Sequence, residues 1–209
     1  MKKNFIIILF VFLISSCDTS NPEKLKFEKI PEGFKSVNLF EKLPNDILNT
    51  AKRLGSGNIL TYEQMPKDLL GTIFDQKIYS ISYTTKDEKL TSISVILSGN
   101  VRNKYLNRIM QKFGPPEKQC TENITYKNGK NSKHISLRWY GDKSVLVIHQ
   151  LPSNNDPSVY EYPLMYIMTK DWAKLLDSGK INNFIKNIDV DCTKYSPPAS
   201  SKQPDKDGF

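Results

Sequence analysis

Runs of alternating apolar residues joined by short turns, without the repeated strand–helix–strand alternation of a parallel sheet, constrain this chain to antiparallel pairing. Tyr79, Ile81 and Tyr83 alternate over 77–84, and Ile93, Val95 and Leu97 over 90–98, on either side of Lys86-Asp87-Glu88. A loop of three or five residues pairs Tyr83 with Ile93, Ile81 with Val95 and Tyr79 with Leu97. A two-residue turn at Asp87-Glu88 sets serines against the large residues instead. Burial favours the first register, because a one-residue slip turns a whole face over. A meander follows: Ile124 and Tyr126 before Asn128-Gly129, then Ile135, Leu137 and Trp139 before Gly141-Asp142, then 144–150. Residues 159–168 read as a further strand, with Pro163 marking an edge or a bulge.

Helical spacing appears between these runs. Ile47, Leu48, Ala51 and Leu54 predict a helix over 44–54, capped by Asn45 or Asp46 and stopped by Gly55. Leu106, Ile109, Met110 and Phe113 form the clearest stripe, in a helix over 100–113 that Asn100 caps and Gly114-Pro115-Pro116 ends. Trp172, Leu175 and Leu176 predict a short helix between Thr169 and Gly179, and 181–188 a further short one. The expected fold is α+β: an antiparallel sheet of five to six strands with helices on one face.

The N-terminus carries a different signal. Lys2 and Lys3 precede an apolar run over 5–14, too short to span a bilayer, and Ile14-Ser15-Ser16 lead into Cys17. Ile14-Ser15-Ser16-Cys17 resembles the lipobox of bacterial lipoproteins. The resemblance implies a signal peptide over 1–16, lipidation of Cys17, and a membrane partner on the extracytoplasmic side. Residues 17–24 are then a lipidated tether, 25–192 a single domain, and 193–209 a disordered polar tail. Asp18 resembles the inner-membrane retention signal of enteric-type lipoproteins, a lineage-dependent rule, so the choice of membrane stays open.

Composition sets limits. Lys and Arg number 30 against 22 Asp and Glu, a formal net charge of +8, but the two signs are interspersed, as in Lys24, Lys26 and Lys29 with Glu23, Glu28 and Glu32. With no block of like charge, nucleic acid is not an expected partner. Once Cys17 is lipidated, Cys120 and Cys192 remain, a pair that an exported chain can join in a disulfide or keep as buried thiols.

Catalytic motifs do not emerge. The chain lacks a Gly-x-Ser-x-Gly elbow and a His-Glu-x-x-His helix, and Gly55-Ser56-Gly57 lacks the Gly-Lys-Ser/Thr of a phosphate loop. No cofactor is expected. The two histidines have a specific relation. A turn at Gly141-Asp142 pairs Leu137 with Leu146 and sets His134 directly opposite His149, on the face away from Leu137 and Trp139. Two imidazoles so placed are candidate metal ligands, but a zinc site needs a third donor, which the sequence does not name. Tyr160, Tyr162 and Tyr166 form an aromatic segment that suits either a protein partner in the envelope or the filling of a sheet face.

The helix over 105–113, Gly114-Pro115-Pro116 and the strands through Leu137-Arg138-Trp139-Tyr140 also look like small envelope lipoproteins of the SmpA/OmlA kind and the β-lactamase-inhibitor-protein fold. That resemblance implies a helix feeding an antiparallel sheet and brings no functional residue with it. The function these signals imply is binding or accessory work by a lipid-anchored envelope protein. A hydrolase built on scattered carboxylates and an inhibitor or immunity-type protein are the alternatives.

Overall fold

The computed structural model describes residues 27–64, 70–74, 76–97, 100–101, 104–150, 160–161, 164–179 and 185–197. Cys17, the tether and Tyr162 lie outside them. The described chain opens with a small hairpin, β1 (Gly33–Phe34) and β2 (Val37–Asn38), followed by α1 (Asn45–Thr50). Then come β3 (Lys52–Leu54), β4 (Ile59–Gln64), β5 (Thr72–Ile73), β6 (Gln76–Lys86), β7 (Lys89–Leu97) and β8 (Asn100–Val101). After α2 (Lys104–Phe113) the meander runs through β9 (Lys118–Tyr126), β10 (Asn131–Tyr140) and β11 (Ser144–Gln150). The last elements are β12 (Tyr160–Glu161), β13 (Leu164–Thr169), α3 (Lys170–Asp177) and β14 (Ile185–Lys194).

One ten-stranded sheet dominates, in the order β14-β9-β10-β11-β13-β7-β6-β4-β3, with β5 also paired to β6. Each of these pairings is antiparallel. The α+β class stands, but the sheet is about twice as wide as the sequence suggested. Two short-range readings contribute to the difference, and a third concerns a separate two-stranded pairing. The helix expected over 44–54 covers only Asn45–Thr50: Ala51 is extended, and Lys52–Leu54 pairs with Thr61–Glu63. Of the helix expected over 181–188, Ile185–Ile188 instead begins β14, which carries the sheet to Lys194, two residues into the expected polar tail; 181–184 lie outside the described residues. Asn100 does not cap α2; it sits in β8, paired with Glu161.

Helices cover both faces rather than one. The face bearing Tyr83, Ile93, Val95, Leu137, Trp139, Leu146 and Ile167 packs against Ile47 of α1 and Tyr105, Leu106 and Ile109 of α2. The opposite face presents Val145, Val147 and Met168 to Trp172 and Ala173 of α3. Thr169 caps α3, its hydroxyl accepting from the Trp172 N–H at 3.2 Å, as the sequence reading placed it. Among the described residues no helix is long and apolar enough to cross a membrane.

The β6–β7 hairpin keeps the apolar register by a route the sequence did not suggest. Its turn is the two-residue one, Asp87-Glu88, both with positive φ (51° and 64°). Asp87 is held there by Asn58, whose carbonyl accepts from the Asp87 N–H at 2.9 Å and whose amide donates to the Asp87 carboxylate at 3.1 Å. An irregularity between Thr84 and Thr85 then restores Tyr83↔Ile93 and Ile81↔Val95. A second one leaves Tyr79 out of the ladder, so that Ile78 rather than Tyr79 faces Leu97, and Tyr79 is 42% exposed. Pro163, expected to mark an edge or a bulge, lies outside the described residues; β13 itself lies inside the sheet, between β11 and β7.

Candidate functional site

The second face of the sheet is where the chemistry collects, and the β10–β11 register puts it there. The turn is centred on Asp142-Lys143, one residue later than expected, because the Gly141 N–H bonds the Ser144 carbonyl at 2.9 Å and continues the ladder. Room is tight at Gly141: a Cβ there would stand 3.0 Å from both Ile30 and the Ser144 hydroxyl, which would have to give by a few tenths of an ångström. The shifted turn sets His149 opposite Ser136, not opposite His134. His134 instead faces Glu122 across the other edge of β10. Parity is preserved, so both histidines still project from the face away from Leu137 and Trp139. Their rings are diagonal neighbours, edge to face, with centroids 6.4 Å apart.

Glu122 is the residue that sequence reasoning missed. It is 4% exposed, on a strand whose neighbours gave no sign of a buried acid. Its Oε1 accepts from the Ser136 hydroxyl at 2.6 Å and from Arg138 Nη2 at 3.0 Å. Arg138 is itself buried and reaches the other way to Asp177 at the end of α3, its Nη1 and Nη2 donating to the two carboxylate oxygens at 2.7 and 2.8 Å. The alternation that hides Leu137 and Trp139 on one side requires Arg138 to point at the other. Only the end of α3 brings Asp177 over it.

These contacts set the charge states. Burial alone would raise the Glu122 carboxyl, but His149, the Ser136 hydroxyl and Arg138 together hold it below the ordinary glutamate value. Burial opposes the Arg138 charge too, and is outweighed by Asp177 and Glu122, which raise it. His149 is pushed down, first by burial and then by His134 and Arg138, with Glu122 partly opposing. Its ring is therefore neutral near pH 7, and its 3.6 Å approach to Glu122 is a polar contact rather than an ion pair. Tyr166, held edge to face against His149 at 5.3 Å, is raised to about 12 by burial and by Glu122.

A cavity of about 230 Å³ opens over this cluster, between β9–β10–β11–β13 and α3. Val147, Leu164, Met168 and Leu176 supply apolar wall, while Glu122, Arg138, His134, His149 and Tyr166 supply polar atoms. One carboxylate oxygen of Glu122 and one ring nitrogen of each histidine lie within 4.8 Å of one another. Tyr166 thus belongs to the cavity lining, whereas Tyr160 enters β12 and is not part of this group. Beside the site, Cys120 and Cys192 face each other across β9 and β14 and are joined by a disulfide with Cα atoms 4.0 Å apart.

Compared with known proteins, the chain matches no family model, no curated protein and no solved structure.

Proposed function

We propose that this is a lipid-anchored protein of a bacterial envelope that binds a small ligand between α3 and the sheet. The cavity carries the reading: apolar walls with a few convergent polar groups are the ordinary make-up of a ligand site. The lipobox-like Ile14-Ser15-Ser16-Cys17 supports the anchor. The charges favour binding over a hydrolase that uses these carboxylates. Glu122 gives Oε1, and Asp177 both its oxygens, to Arg138, and the Glu122 carboxyl is held below the ordinary glutamate value, so Glu122 is not poised as a proton donor. The reading is tested by native mass spectrometry of the protein extracted from its own membranes. The expected result is a diacylglyceryl-modified chain starting at Cys17 that carries a non-covalent adduct, with the adduct lost in Leu176→Trp, which fills the cavity. An unmodified N-terminus removes the anchor; a bare wild-type mass, or an adduct unaffected by Leu176→Trp, removes the ligand site.

A further inference from the structure

The geometry points to a transition-metal site, of the kind that takes Zn²⁺, formed by Glu122, His134 and His149 at the polar end of the cavity. It rests on the reading above only in that the cavity must admit solutes. Two imidazoles and one carboxylate are a complete protein ligand set for a zinc ion that keeps an open position. The three donors come from three adjacent strands, β9, β10 and β11, so the sheet itself fixes their order. An ion about 2.1 Å from each donor needs them roughly 3.4 Å apart. The observed separations, up to 4.8 Å, close by rotation of His134, which is only half-buried.

The surroundings suit a cation. Ser136 and Arg138 hold Oε1 of Glu122 and leave Oε2 toward the histidines, the supporting role that outer hydrogen bonds play around metal ligands. Two carboxylates, those of Glu122 and Asp177, share the single Arg138 guanidinium, among the described residues the one cation paired with them. Thiolate is not among the donors, because Cys120 and Cys192 are bonded to each other. Those two histidines are the only ones in the chain, so histidine-dependent metal binding has one possible address.

The experiment is a Co²⁺ titration of the full chain in detergent, free of any affinity tag, followed by Zn²⁺ competition. One equivalent of cobalt should give visible ligand-field bands that zinc abolishes, and both ions should raise the melting temperature. His134→Asn, a half-buried position that leaves the core untouched, should lose the bands while melting like the metal-free wild type. Ser136→Ala should weaken cobalt binding about tenfold, because it frees the Glu122 carboxylate. No bands in the wild type, or bands that survive in both His134→Asn and His149→Asn, would overturn the site. The same preparation separates the two readings. Cobalt binding without a ligand adduct sinks the ligand reading and keeps the ion site, and an adduct without cobalt binding does the reverse.

Discussion

The two faces of the sheet bury side chains by different means. On the face under α1 and α2, Ile81, Ile93, Val95 and Ile148 are fully buried and need nothing but each other's volume. On the face under α3, Ser136 and Arg138 are buried too, and each of the three guanidinium nitrogens of Arg138 donates to an identified partner. Packing tolerates substitution by degrees. A buried ionic network does not, since removing one member leaves the others charged, desolvated and unpaired. The difference teaches where to look for function: the first face explains why the domain folds, and the second holds groups that folding alone does not require.

The sharpest way to break the comparison is Arg138→Ala. It strands Glu122 in a buried site and should cost about 3–5 kcal/mol in urea unfolding. A loss below about 1 kcal/mol would mean that Glu122 takes up a proton or water at little cost, and the contrast between faces would fail. Ile93→Ala, on the apolar face, should cost somewhat less, about 3 kcal/mol, through lost burial and the cavity left behind. Chemical denaturation of both variants side by side measures the contrast directly. Tyr83→Phe probes the apolar face by pH. Burial first, and Asp46 second, raise the Tyr83 hydroxyl to about 12 from an ordinary value of 10.0. The unfolded chain therefore releases this proton before the folded one does, and stability falls as pH rises from 10 toward 12. In Tyr83→Phe that part of the alkaline loss should vanish while stability near pH 7 changes little; an unchanged alkaline titration would remove Tyr83 as its source.

Much of the apolar face was legible because its signal is local. Alternation at Ile81 and Tyr83, and at Leu137 and Trp139, fixes which residues share a side whatever the turns do. Parity therefore placed His134 and His149 on one face even though the register moved by two. What alternation does not reach is the identity of the next strand. Glu122 meets His134 only because β9 runs beside β10, and Asp177 meets Arg138 only because α3 folds over the second face. The width of the sheet was hidden for a related reason. Lys52–Leu54 is exposed and lacks an apolar stripe, so its strand conformation comes from pairing with Thr61–Glu63, whereas in β14 the alternation of Ile188, Val190 and Cys192 was present but its first residue fell within the helix read over 181–188. Gly141 misled in another way: it reads as a turn residue, but it continues the ladder to Ser144, in tight quarters beside Ile30.

The position of β13 has a consequence in time. Leu164–Thr169 is inserted between β7 and β11, and it is the only described strand that bridges the hairpins of the first half to the meander of the second. Until residue 169 has left the ribosome, β7 and β11 each present an open edge with no neighbour, and a chain in that state pairs readily with other chains. A protein threaded across a membrane from its N-terminus would pass through this stage with more than half of its sheet already emerged. Its solubility during export would thus depend on how long those two edges wait, and a holding chaperone would act before the bridging strand arrives.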